Sequence, residues 1–134
     1  MREALLALDS NTLIHALKGL GRVRERMAQT DPTRIAVPAV AVYEIEYGTL
    51  RSANPDARRR ELHRVLSVME VMAFDLAAAE RTARLRLELE RQGRTIGPHD
   101  LMIAGTVLAY GCTLVTHNSE EFSRVPGLVT EDWF

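Results

Sequence analysis

The feature that most constrains this chain is a series of short apolar runs, each stopped by a polar or turn-forming residue and separated from the next by helix-length stretches. Ala4 to Leu8 stops at Asp9, Arg34-Ile35-Ala36-Val37 at Pro38, Val71-Met72-Ala73-Phe74 at Asp75, and Thr113-Leu114-Val115-Thr116 at His117-Asn118. Runs that are apolar at consecutive positions have no polar face, so both sides need cover, as in a strand of a parallel sheet. The intervening stretches read as helices. One begins near Thr12, with Leu13, Ile14, Leu17 and Leu20 at helical spacing, and breaks at Gly19 and Gly21 before a second piece from Arg22 to Gln29. Asp31-Pro32 makes a turn into the second run. Ala39 to Arg51 follows it and carries Glu44.

Asn54-Pro55 and Asp56 make a turn and cap for a stretch from Ala57 towards Glu70, with Leu62, Val65, Leu66 and Met69 on one face. Leu76 to Gln92 is the clearest helix, with Leu85 and Leu89 inside, and Gly93 ends it. After a loop from Gly93 to Pro98, Asp100 opens another helix through Ala109, closed by Gly111. The tail from Ser119 to Phe134 holds a turn of helix and a last short strand near Leu128. Strands alternating with helices over about 30 residues per unit predict a three-layer α/β/α sandwich with a mainly parallel sheet, in one domain over residues 1–134. A hydrophobic fraction of 46% against 26% charged residues supports a packed core and excludes disorder. No apolar stretch reaches the roughly 18 to 20 residues needed to cross a bilayer, and Asp9 falls where a leader peptide would continue its apolar centre. The expected compartment is therefore the cytoplasm, with no membrane partner.

In sheets of this class, ligands sit outside the carboxyl ends of the strands, so residues just after strands converge whatever their separation in sequence. Asp9, Glu44, Asp100 and Asn118 meet that test. Two unit charges about 4 Å apart repel by on the order of 4 kcal/mol at an effective dielectric of 20, so gathered carboxylates call for a cation between them. An all-oxygen ligand set suits a hard ion such as Mg²⁺ or Mn²⁺, which leaves positions for water and a phosphate oxygen. Phosphodiester hydrolysis is the natural use. Cys112 is the only cysteine, which excludes an internal disulfide and a multi-cysteine zinc site. With 17 Lys+Arg against 18 Asp+Glu, global charge selects no partner. Locally, five arginines between Arg51 and Arg64 face only Asp56 and Glu61, and Arg58, Arg59 and Arg60 are candidates for RNA phosphate, although such a run is usually a solvated helix surface. Sixteen of the basic residues are Arg and one, Lys18, is Lys, a skew that a codon bias explains as well as phosphate recognition does.

Five segments, in order from Leu6 to Trp133, resemble the PIN-domain ribonucleases and most of all their VapC toxins. They are Leu8-Asp9-Ser10-Asn11; Glu44-Ile45-Glu46-Tyr47-Gly48; Ile96-Gly97-Pro98-His99-Asp100-Leu101-Met102-Ile103-Ala104; Leu114-Val115-Thr116-His117-Asn118 with Glu121-Phe122; and Arg124 to Leu128 with Glu131-Asp132-Trp133. The resemblance implies a Mg²⁺- or Mn²⁺-dependent endoribonuclease of a toxin-antitoxin system, acting on single-stranded or loop RNA, initiator tRNA among the candidates. It further implies a homodimer silenced by a small VapB-like antitoxin. Asp9 and Asp100 match the family's principal metal ligands. Spacing alone does not choose between Glu44 and Glu46, which point to opposite helix faces; the resemblance selects Glu44. Asn118 stands at the fourth position, where an amide weakens the case for a second tightly held ion. Glu121, Thr116 and Ser10 are further candidates, and His99 is assigned no catalytic part.

Structural roles compete with each assignment. Asp100 fits a helix cap, Asn118 and Glu121 fit a capping box better than direct metal contact, and Glu44 fits a solvated helix face. Tyr43 and Tyr47 are spaced for helix packing more than for stacking on a base. Two other functions stand as rivals: a catalytically silent PIN-like module that binds RNA or a partner, and a phospho-receiver domain. The latter needs a phosphate-pairing lysine, and Lys18 falls early in the first helix.

Overall fold

The computed structural model describes residues 4–134 of the chain, so the first three residues of the leader argument lie outside it. Five strands form one parallel sheet: β1 (Leu6–Leu8), β2 (Ile35–Pro38), β3 (Glu70–Met72), β4 (Thr113–Val115) and β5 (Thr130–Glu131), in the order β3-β2-β1-β4-β5. Every residue of β1 and β2 is buried. Because successive strand residues point to opposite faces, burial of all of them means that helices cover the sheet on both sides. The three-layer expectation holds. The edge strands β3 and β5 carry the exposed residues Glu70, Val71 and Glu131.

Among the described residues the cover comes from α1 (Ser10–Lys18), α2 (Val23–Ala28), α3 (Ala39–Leu50), α4 (Pro55–Leu66), α5 (Leu76–Arg91), α6 (Pro98–Tyr110) and α7 (Ser119–Phe122). No helix among them is long and apolar enough to cross a membrane. Where the elements differ from expectation, a cap or a proline is responsible. The first helix starts at Ser10 rather than near Thr12, because the Asp9 side chain accepts from the Thr12 N–H and caps it. Lys18 is consequently the last residue of α1, not an early one. The helix predicted to run towards Glu70 ends at Leu66, and β3 starts at Glu70, not Val71. Ser67, Val68 and Met69 turn the chain back through N–H bonds to the last carbonyls of α4. Pro98 occupies the first helical position of α6, for which its fixed φ and missing N–H suit it, so Asp100 lies within the first turn and does not open the helix. Pro38 ends β2 by its ring yet still pairs in register with Met72, and the final strand falls at Thr130–Glu131 rather than near Leu128.

The order of the sheet decides where a site can form. The chain winds outward from β1 through β2 to β3, then returns to pair β4 on the other side of β1. The winding therefore reverses between β1 and β4, leaving a crevice beyond their carboxyl ends. This order also differs from the 2-1-3-4-5 arrangement of receiver-type domains.

The closest helix approach is between α5 and α6. A Cβ placed at Gly105 would fall onto the Thr82 hydroxyl and lie 2.9 Å from the Thr82 Cα, so glycine there lets the backbones meet. Gly48 on α3 has nothing within 4 Å of such a Cβ. Gly105→Ala is expected to destabilise the protein by about 1–3 kcal/mol, since the contact is with backbone that cannot rotate away. Gly48→Ala is expected to stabilise it by about 0.5–1 kcal/mol through helix propensity alone. Urea denaturation of both variants beside the parent checks the opposite signs.

Candidate active site

Asp9 leaves β1 directly into the crevice and is 4% exposed. One carboxylate oxygen accepts from the Thr12 N–H at 2.9 Å, and the other accepts from the Thr116 hydroxyl, just past β4, at 2.6 Å. The Thr12 hydroxyl in turn donates to the Val115 carbonyl at 3.0 Å. The end of β1, the start of α1 and the end of β4 are thus joined through one carboxylate. Each of its oxygens retains a second lone pair.

Glu44 is set by helix geometry. It faces α1 and α6, where the Ser10 hydroxyl donates to Oε1 at 2.5 Å and the His99 ring meets Oε2 at 3.2 Å through Nδ1. Glu46, two residues on, points away and pairs with Arg59 and His63 at 3.3 Å each. Glu44 thus lies among residues next to Asp9 and Asp100, whereas Glu46 lies against α4.

Asp100 comes from the first turn of α6 and is drawn into the same group. Gly97 is the N-cap residue of that helix and makes no side-chain cap, so Asp100 is free of the capping role that its position suggested. Burial, a hydrogen bond to the Glu121 carboxylate, and the charges of Glu121, Glu44 and Asp9 raise its pKa from an ordinary 3.8 to about 7. Burial would also raise Glu121. Hydrogen bonds from the Gly97 N–H, Asp100 and Asn118, with the nearby Arg124, outweigh it and hold Glu121 below its ordinary value. The two carboxyls are thus pushed in opposite directions, Asp100 up and Glu121 down. Glu121, Glu44 and Asp9 all act on Asp100 through their charge, so the three lie within electrostatic reach of it.

Asn118 and Glu121 do not form the expected capping box. Asn118 makes no side-chain cap. Its Nδ2 donates to Glu121 Oε2 at 2.6 Å, its own N–H goes to Thr116 Oγ1 at 3.0 Å, and Glu121 Oε1 accepts from the Gly97 N–H at 2.9 Å. The pair braces the start of α6 instead. His99, given no part from sequence, contacts Glu44, and its place directly before Asp100 was the available signal. Tyr43 and Tyr47 are 58% and 54% exposed, so the packing role expected of them is not the one they have. Arg58, Arg59 and Arg60 lie exposed on α4, with Arg59 on Glu46 and Arg58 3.9 Å from Glu61. Lys18 and Arg58 line a groove of about 310 Å³ that reaches Glu44. The ground on which sequence set Lys18 apart from the acids therefore fails, whereas the sheet order excludes the receiver reading independently.

The donor set suits a hard divalent cation. It is all oxygen, and among the described residues no Lys or Arg forms an ion pair with Asp9 or Asp100. Among the described residues no three acids, histidines or cysteines already stand as a ligand cage. The carboxylates are held instead by Thr12, Thr116, Ser10, Gly97 and Asn118.

Comparison with known proteins places this geometry. The PIN domain family model matches residues 6–128. A tRNA(fMet)-specific endonuclease VapC of Shigella flexneri is 39% identical over 127 residues, covering 94% of this chain and 96% of the relative. The protein of the same name from Salmonella typhimurium is 36% identical over the same shares. Among solved structures, DNA-bound VapBC from Salmonella typhimurium superposes with a TM-score of 0.93 at 34% identity, over 98% of this chain and 100% of that one. VapBC2 of Rickettsia felis bound to a promoter DNA fragment gives 0.88 at 32% identity, over 97% and 99%.

The raised Asp100 has a consequence for stability without metal. Its folded pKa lies above the unfolded value, so the folded state binds the extra proton, and the contribution of this one group to stability is fully present below about pH 4 and lost as pH rises towards 7. Asp100→Asn is expected to remove this fall and to be more stable than the parent at pH 8 in chelator. Urea titrations of parent and variant at pH 5 and pH 8 compare the two. Equal losses in both proteins would mean that Asp100 does not carry the repulsion.

Proposed function

The chain belongs to the PIN-domain family, among the VapC ribonucleases, and on that premise we propose that it is the toxin of a type II toxin-antitoxin pair. It hydrolyses phosphodiester bonds in single-stranded or loop RNA, with initiator tRNA as the substrate. Two relatives more than a third identical over nearly their whole length are named for that tRNA. A VapB-like antitoxin silences it, as the VapBC structural neighbours suggest, and it works in the cytoplasm as a homodimer, with residues 1–134 acting as one PIN-like domain. The observation that carries the reading is that Ser10, next to Asp9, and His99, next to Asp100, both meet the Glu44 carboxylate, so acids from the end of β1, from α3 and from α6 gather at one crevice.

PIN-domain nucleases are generally dependent on a divalent metal; here Asp9 and Asp100 would hold Mg²⁺ or Mn²⁺. When bound, the ion would supply charge neutralisation at the phosphate and lower the pKa of water. Glu44, fixed through Ser10 and His99, orients the attacking water and takes its proton. Thr116 holds Asp9 in place, and Asn118 acts through Glu121, keeping that carboxylate beside Asp100. Arg58, with Arg59 and Arg60 beside it, offers positive charge to the RNA backbone at the far end of the groove that begins at Glu44. Attack of water at phosphorus leaves a 5′-phosphate and a 3′-hydroxyl.

Asp9→Asn and Asp100→Asn are expected to abolish cleavage while preserving the fold: an Asn at position 9 still has the oxygen that caps α1, Asp100 makes no cap, and each variant loses the negative charge. Glu44→Gln is expected to lower kcat by roughly 10²–10⁴-fold. Purified proteins incubated with total RNA and Mg²⁺ or Mn²⁺, followed by mapping of the new ends, test the activity and the target together. Parental activity in both Asp variants would defeat the assignment. Metal binding at pH 6 should also release about one proton from Asp100. Calorimetry in two buffers of different ionisation enthalpy measures this, and Asp100→Asn should release none.

A further inference from the structure

Two exposed rings stand at the mouth of the acid cluster, and each directly precedes one of its carboxylates in sequence. Tyr43 is followed by Glu44 and His99 by Asp100. The rings come from different helices, α3 and α6, and meet edge to face with centroids 5.5 Å apart and planes at 81°. Tyr43 is 58% exposed and the His99 side chain 47%. An edge-to-face pair uses one face of one ring and only the rim of the other, so three of the four ring faces remain outside the contact. His99 is further held by Glu44 Oε2, which limits the rotation of its plane. Exposed aromatic surface that is oriented in this way, beside the proposed site of phosphodiester hydrolysis, suits an unpaired base.

We propose that Tyr43 and His99 form a stacking platform for one unpaired nucleobase of the RNA, next to the scissile phosphate. The inference rests on the nuclease reading and deepens it. A base in a duplex has both faces covered by its neighbours, so the platform accepts only a nucleotide that a loop or single strand leaves free. Stacking on a ring is tolerant of base identity, and the platform therefore selects for an unstacked nucleotide more than for a sequence. It also sets the register of the strand: with the base held on the rings, the adjoining phosphate lies against the carboxylates that follow them in the chain.

The test pairs a protein change with a substrate change. Parent, Tyr43→Phe and Tyr43→Ala are assayed on an RNA oligonucleotide spanning the mapped cleavage position, and on copies with an abasic residue on either side of that position. Tyr43→Ala is expected to raise KM roughly five- to a hundredfold with kcat within about twofold, and Tyr43→Phe to match the parent. The abasic residue on one side should weaken the parent by a similar factor and add nothing in Tyr43→Ala, because both changes remove the same contact. Independent, multiplying losses overturn the platform. So does a fall in kcat at constant KM, which would make Tyr43 a brace for Glu44, and so does a change of oligomeric state at constant KM, which would make it an interface residue. A parent that cleaves no RNA would instead remove the nuclease reading itself.

Discussion

Almost everything at the site depends on one carboxylate being buried where two strands part. Asp9 is held at once by the N–H of Thr12 and the hydroxyl of Thr116, which come from residues on either side of the crevice. A carboxylate this enclosed is tolerated because its oxygens are satisfied by hydrogen bonds, one of them from a helix N-terminus, whose dipole favours negative charge. The same bonds hold α1 against the end of β4. The edge of the sheet is thereby a rigid mount for anything placed around it.

Around that mount the protein collects more negative charge than it neutralises. Glu44, Asp100 and Glu121 come from three further elements, and the hydrogen-bond partners of the two glutamates include a hydroxyl, amides and one imidazole, with Arg124 near Glu121. Burial and the neighbouring carboxylates push the Asp100 carboxyl up to about 7. An all-oxygen group of this kind suits a hard divalent cation. The strain is a property of the site and not a fault of the fold: the core beneath, from Leu8 and Val37 to Leu114 and Val115, is fully buried and apolar.

Much of the architecture was legible in the chain, because the apolar runs were too uniform to be anything but covered strands. The three-layer class, the helix between each pair of strands and the acids at strand ends all follow from that pattern. Element ends were less legible. Whether Asp9 or a later residue starts α1, or whether Pro98 or Asp100 starts α6, depends on caps that several residue types can supply. Glu121 illustrates the limit: its spacing from Asn118 matches a capping box, yet it binds the Gly97 N–H, 24 positions earlier in the chain. His99 directly precedes Asp100, but its contact with Glu44, 55 positions earlier, exists only once α6 meets α3.

What the sequence determined by itself was the kind of chemistry: which residues are acidic, that they follow buried strands, and that no cysteine cluster or basic excess offers another theme. Only the tertiary structure decided which partners each acid meets. Glu44 and Glu46 are equivalent in composition and separated by two residues, but a helix turns through about 200° over that interval. One therefore faces Ser10 and His99, and the other faces Arg59 and His63. Partners supplied by other elements set that division, and a linear chain contains no distance between them until the sheet has brought them together.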